Sequence, residues 1–165
     1  MNRRAFLATT AATAAAASFP SRLASLAGAQ TRRRRYAIVG TGVRGLGMWG
    51  RGLQGKWGDA VEFVGLCDSN AKRAEIARQA LGLSCPTFTD FDRMVTETRP
   101  ELLTVTTVDA YHSEYIVKAL DRGLEVITEK PMVIDEQQCQ AVLEAEKRNN
   151  RKIHVAFNYR FAPKP

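Results

Sequence analysis

The segment from Tyr36 to Gly45, Tyr-Ala-Ile-Val-Gly-Thr-Gly-Val-Arg-Gly, constrains what this chain can fold into more than any other. An apolar run of strand length, Tyr36 to Val39, passes directly into Gly40-x-Gly42-x-x-Gly45, and Leu46, Met48, Trp49 and Leu53 behind it can line one face of a helix. Strand, glycine turn and helix start in that order suit a diphosphate. Gly40 permits the tight turn, Gly42 lets main chain approach the phosphates with no Cβ between, and Gly45 lets the helix pack close to the strand. The anion then faces the unpaired N–H groups and the positive dipole end of the helix. Glycine triplets also occur in unrelated α/β turns, so context decides. Val61 to Asp68 supplies it: an apolar strand ending in a carboxylate that can accept the ribose hydroxyls of an adenosine. Asp68 stands 28 positions after Gly40, beyond the usual spacing, and the excess is assigned to an insertion in the glycine-rich segment Gly50 to Gly58.

The rest of the chain repeats the alternation. Asp68-Ser69-Asn70 can cap a helix over Ala71 to Leu81 with Ala74, Ile76, Ala77, Ala80 and Leu81 turned inward, and Gly82 stops it. An extended piece around Thr87-Phe88 precedes a helix capped by Asp90 or Thr89 that runs to about Thr98 before Pro100. Leu102 to Thr107 is a β-branched strand suited to a sheet covered on both faces. Ser113 to Arg122 is helical with Tyr115, Ile116, Ala119 and Leu120 inward, Leu124 to Thr128 a strand, Asp135 to Asn149 a helix and Ile153 to Phe157 a last strand. Strands alternating with helices call for right-handed crossovers and a doubly wound parallel α/β sheet.

A length of 165 residues holds one ordinary domain. The net charge of +7 suggests nucleic acid until it is located: seven arginines lie within residues 1–35, and removing them leaves 17 basic residues against 17 acidic ones. The body is neutral, and no nucleic-acid partner is expected. Asn2-Arg3-Arg4-Ala5-Phe6-Leu7 resembles a twin-arginine export signal, followed by a weakly apolar stretch, Ala8 to Phe19, too short for a permanent membrane anchor, and a small-x-small site at Ala27-Gly28-Ala29. Residues 1–29 are therefore expected to be a signal peptide, 30–34 a basic linker with Arg32 to Arg35 solvated, and 35–160 the nucleotide-binding domain. Export of an already folded protein would carry a cytosolic nucleotide to a periplasmic or other extracytoplasmic location. Cys67, Cys85 and Cys139 show no metal-ligand spacing, read as buried thiols, and no metal site is assigned.

Ligands of such sheets bind at the carboxyl ends of the strands. Thr106, Thr107, Asp109 and His112 follow the fourth strand, Thr128, Glu129, Lys130 and Pro131 the fifth, and Asn158, Tyr159 and Arg160 the sixth. His112 is read either as a helix-start residue or as a catalyst. Glu129-Lys130 is more informative, because a charged pair directly after an apolar strand is costly unless it is paired or faces a ligand. A lysine there can hold a hydroxyl by charge or assist proton transfer.

These motifs, the glycine loop, Leu-Cys-Asp-Ser-Asn, Thr106 to His112 and Val-Ile-Thr-Glu-Lys-Pro (Val126 to Pro131), resemble in order the N-terminal half of the glucose-fructose oxidoreductase, inositol dehydrogenase and rhizopine-catabolism (Gfo/Idh/MocA) family. The resemblance covers Arg35 to about Pro163 and implies a Rossmann domain. It implies that Gly40, Thr41, Gly42, Val43, Arg44 and Gly45 wrap the pyrophosphate and Asp68 holds the adenosine ribose. Thr107, His112, Glu129 and Lys130 would line the nicotinamide side, with Lys130, and His112 beside it, as catalytic candidates. The family often has a Thr-Pro pair after the fourth strand, whereas Thr107 here precedes Val108. It also continues into a second α/β domain, which supplies substrate contacts, usually the acid-base residue, and the sheet through which members associate. The chain ends at Pro163-Lys164-Pro165, where residues 161–165 would start that domain, so a fragment or truncated product is expected, without the oligomerising sheet.

The activity implied is hydride transfer between a sugar or polyol carbinol and a nicotinamide. NAD is favoured because Asp68 repels a 2′-phosphate, with NADP possible through Lys72 or Arg73. The alternatives are an NAD-dependent glycosidase of the related type, which would release sugar without net NADH, and a non-catalytic nucleotide sensor.

Overall fold

The computed structural model describes residues 32–161. The expected export signal and the first part of the linker lie outside the described residues, as do the last four positions.

Six parallel strands form one sheet in the order β3-β2-β1-β4-β5-β6, with β1 at Arg34–Val39, β2 at Val61–Cys67, β3 at Thr87–Phe88, β4 at Leu102–Val105, β5 at Glu125–Glu129 and β6 at Ile153–Ala156. The order reverses between β1 and β4, which opens a crevice at their carboxyl ends. Helix α1 is π-helical over Gly45–Gly52 and α-helical over Leu53–Trp57. Then come α2 (Ala71–Ala80), α3 (Phe91–Thr98), α4 (His112–Asp121, after a 3-10 turn at Asp109–Tyr111) and α5 (Glu136–Asn149). Caps fall where side-chain chemistry places them: Asn70, Asp90 and Asp135 accept N–H bonds from the first turns of α2, α3 and α5.

Alternate β1 side chains enter opposite layers. Ala37 and Val39 join Leu103, Val105, Ile116, Leu120, Val126 and Val142 under α3, α4 and α5. Tyr36 and Ile38 join Leu66, Ala77 and Cys85 on the other face, where Leu46, Trp49 and Leu53 of α1 pack. The doubly wound sheet is therefore as expected. Within the second layer the Tyr36 hydroxyl donates to Thr104 Oγ1 at 2.7 Å, and burial pushes that phenol far above its ordinary pKa. Cys67 and Cys85 are buried, and burial with the adjacent Asp68 carboxylate pushes the Cys67 thiol up to about 12.

Several expectations are corrected. Ile76 and Met48 are exposed, because α2 turns only Ala74 and Ala77 fully inward and the wider coil of α1 rotates Met48 out. The segment to which the extra length is assigned, Gly50 to Gly58, carries α1 on to Trp57. Arg33 to Arg35 form neither linker nor solvated arm. Arg34 opens β1 and its Nη2 pairs with Glu125 at 3.0 Å, Arg33 donates to the Val61 carbonyl at 2.9 and 2.6 Å, and Arg35 donates to the carbonyls of Thr98 and Arg99 at the end of α3. Guanidinium forks satisfy main-chain acceptors at the amino edge of the sheet and at a helix end, where cations are favoured.

Tyr36→Phe leaves the Thr104 hydroxyl without its buried partner and should cost about 1–3 kcal/mol. Ile76→Gln should change stability by less than about 0.5 kcal/mol. Urea unfolding curves of the two variants check both; a large loss at Ile76 would contradict its exposed placement.

Candidate nucleotide site

The site is built on absent side chains. Gly40 sits at φ +87°, and a Cβ there would meet the main chain of Thr106 and Thr107 at 2.6 Å. A Cβ on Gly45 would lie 2.2 Å from the Gly40 carbonyl oxygen. Thr106 Oγ1 donates to that same carbonyl, so the glycine loop is locked to the loop after β4. A Cβ on Gly42, by contrast, would meet nothing within 4 Å. The loop is thus closed underneath and open above Gly42, at the start of α1, where first-turn amides lack intrahelical acceptors.

Two cavities flank this loop and share Thr106 and Thr107. One, of about 360 Å³, is lined by Gly40, Gly42, Asp68, Ser69, Arg73, Val108, Tyr111 and Tyr115 among others. The second, of about 650 Å³, is lined by Arg44, Met48, Asp109, His112, Glu129, Lys130, Asn158 and Tyr159 among others. The crevice at the β1/β4 switch point therefore brings together the loops after five strands, β1, β2, β4, β5 and β6, as the sequence leads one to expect. Open space above a glycine at a helix start, a buried carboxylate on one side and an ammonium on the other fit an adenine dinucleotide, diphosphate in the middle.

Individual residues differ from their expected roles. Thr41 does not face a diphosphate: it is buried, and its N–H and hydroxyl both donate to Asp68 Oδ2, at 2.8 and 3.0 Å. It ties the glycine loop to the end of β2. Asp68 is itself 4% exposed and also accepts from Asn70 N at 2.9 Å and Arg73 Nη1 at 3.3 Å. Val43 points an apolar side chain outward, 90% exposed, leaving only its main chain for an anion. Arg44 directs its guanidinium away from the loop, to Glu129 Oε1 at 3.1 and 2.5 Å.

Glu129 Oε1 also accepts from Trp49 Nε1 at 2.8 Å. In an α-helix, side chains five apart point about 140° away from each other. The i→i+5 closure of a π-turn brings Arg44 and Trp49 onto one face instead. This buried carboxylate is thereby paired, while Lys130 stays exposed at the cavity and makes no ion pair among the described residues. A cis Lys130-Pro131 peptide forms the turn. His112 is 1% exposed, its Nδ1 2.7 Å from the Pro131 carbonyl oxygen and its Nε2 3.1 Å from that of Thr107. Its ring lies between these two carbonyls and so bridges the loops after β4 and β5, and it also lines the larger cavity. Val108, where the family often has proline, adopts φ −69°, within proline's own range, so the turn keeps its course.

Sequence reasoning missed the contributions of Trp49, Tyr111 and Tyr115, while Thr106 lies in the site as expected. Trp49 read as a core residue under α-helical spacing, and Tyr115 as an inward one. The two tyrosines are four apart, a spacing that puts both on one side of a helix start.

A family model described as an oxidoreductase family with an NAD-binding Rossmann fold matches residues 34–157. The chain belongs to the Gfo/Idh/MocA oxidoreductase family. It is 36% identical over 134 residues to YteT of Bacillus subtilis, an oxidoreductase by provisional assignment, covering 79% of this chain and 31% of that one. It is 27% identical to inositol 2-dehydrogenase of Salmonella typhimurium, covering 73% of this chain and 37% of the other. Among solved structures, myo-inositol 2-dehydrogenase of Lactobacillus plantarum superposes with a TM-score of 0.72 at 25% identity, over 79% of this chain and 38% of that one. GenD2 of gentamicin A biosynthesis, solved in complex with NAD, shares the fold with a TM-score of 0.73 at 20% identity, over 82% of this chain and 37% of that one. The Gfo/Idh/MocA chain described here thus spans about a third of the length of the relatives it matches.

Glu129→Leu removes the acceptor of three donors and should destabilise the domain by about 1–3 kcal/mol. Trp49→Phe removes one of them and should cost about 1 kcal/mol. Unfolding followed by circular dichroism measures both, and wild-type stability in Glu129→Leu would mean that the clasp does not hold the turn.

Proposed function

We propose that this chain is the nucleotide-binding half of a nicotinamide-dependent oxidoreductase that acts on a CH–OH group of a sugar or polyol. The observation that carries the reading is the placement of the open glycine loop, Asp68 and Lys130 in one crevice at the β1/β4 switch point. Relatives named inositol 2-dehydrogenase and D-glucoside 3-dehydrogenase support the substrate class.

Main chain at Gly42, Val43 and Arg44 would hold the diphosphate, Asp68 the adenosine ribose, and Thr107, Glu129 and Lys130 the other half. NAD is the expected cofactor, since a carboxylate at the ribose end opposes a 2′-phosphate. When bound, the nicotinamide supplies the hydride acceptor or donor. Lys130 would place its ammonium on the substrate oxygen and stabilise negative charge developing there. Glu129, clasped by Arg44 and Trp49, and His112, through the Pro131 carbonyl, fix the turn from which Lys130 projects. None of the described residues is assigned the proton transfer at that oxygen. The N-terminal Arg3-Arg4 segment supports folded export by the twin-arginine machinery to the periplasm or another extracytoplasmic compartment.

Gly42→Ala adds a Cβ that meets nothing within 4 Å, so the variant should unfold at about the wild-type urea concentration yet bind NAD at least about tenfold more weakly in calorimetry. Unchanged NAD affinity would remove the diphosphate from this loop. In a full-length protein carrying this domain, Lys130→Ala should lower kcat by about 10²- to 10⁴-fold. Activity at the wild-type level would show that this lysine has no part in the chemistry.

A further inference from the structure

Asp68 has no vacant position for a ribose hydroxyl. A carboxylate offers about four lone-pair sites. Oδ2 takes the N–H and hydroxyl of Thr41 at 2.8 and 3.0 Å, and Oδ1 takes the Asn70 N–H at 2.9 Å and Arg73 Nη1 at 3.3 Å. Three of these donors are main-chain amides or belong to the buried Thr41, and they cannot leave without opening the loop or the start of α2. The fourth differs. It is the longest, and its side chain is 54% exposed and lines the same cavity as Asp68, Ser69 and Tyr111. A hydroxyl reaches the carboxylate by taking the place of Arg73.

We propose that Arg73 sets how sharply this site separates a dinucleotide with a free 2′-hydroxyl from one with a 2′-phosphate. The inference rests on the dinucleotide reading given above and adds a residue that decides between its two forms. Paired with Asp68, the guanidinium competes with the hydroxyl of NAD and cancels the charge that would repel the phosphate of NADP. Displaced, it remains in the cavity as a planar fork suited to a phosphate. It is the one cation among the described residues that line the adenosine-side cavity. Lys72, its neighbour in sequence, does not line it. Arg73 therefore acts with opposite sign on the two cofactors, against NAD as a competitor and for NADP as a partner.

The test is titration calorimetry of NAD and NADP against the wild-type chain and the Arg73→Gln, Arg73→Lys and Lys72→Gln variants. Half-exposed pairs of this kind change equilibria by up to roughly fivefold. Arg73→Gln should bind NAD as tightly as wild type or up to about fivefold more tightly, and NADP about two- to fivefold more weakly. Arg73→Lys should keep NADP binding to within about threefold, and Lys72→Gln should match wild type for both. If Arg73→Gln moves both affinities in the same direction, or neither, Arg73 has no selective role although the dinucleotide reading stands. If the wild-type chain binds neither cofactor, the dinucleotide reading falls and this inference with it.

Discussion

The structure depends on a place where two main chains meet with no room for a side chain between them. Gly40 rests against Thr106 and Thr107, and Gly45 rests against the carbonyl of Gly40. A methyl group at either position would push β1, the start of α1 and the loop after β4 apart, and the crevice would lose its floor. Gly42 belongs to the same motif but answers to a different constraint, since nothing in the protein lies over it. Two glycines keep the fold closed, and the third keeps a surface open.

Two buried carboxylates extend that junction in opposite directions. Asp68 gathers the glycine loop, the end of β2 and the start of α2 through four donors. Glu129 gathers the start of α1 and the end of β5 through Arg44 and Trp49. Each would be costly to bury alone, and each is matched by donors from a neighbouring loop. The consequence is mechanical: the adenosine end, the diphosphate floor and the lysine turn form one connected set of hydrogen bonds. His112 adds a further link, between the loops after β4 and β5.

Most of the architecture was legible because it follows from local chemistry. Apolar runs ending in capping residues gave each strand and helix to within a few positions, and three glycines with a distant aspartate located the switch point. What stayed hidden depended on geometry that no spacing rule encodes. The π-turn at Gly45–Gly52 rotates Met48 outward and turns Trp49 toward Glu129, a change invisible to a 3.6-residue period. Ile76 is apolar yet exposed, because the short helix α2 presents only a narrow face to β2. Four consecutive arginines read as a solvated arm, since their acceptors are carbonyls and carboxylates brought near only by the sheet. Thr41 and His112 sit inside recognisable motifs, but Thr41 spends its N–H and hydroxyl on Asp68 and the His112 ring is wedged between two main-chain carbonyls.

The central claim is that an adenine dinucleotide lies across the β1/β4 switch point with its diphosphate over Gly42. Amide chemical-shift mapping by nuclear magnetic resonance during an NAD titration tests it most directly. The account predicts saturable shifts concentrated at Gly42, Val43, Arg44, Ser69, Thr107 and Lys130, on both flanks of the glycine loop at once. Shifts confined to the amino edge of the sheet around Arg33 and Glu125, or no shifts at saturating NAD, would contradict it.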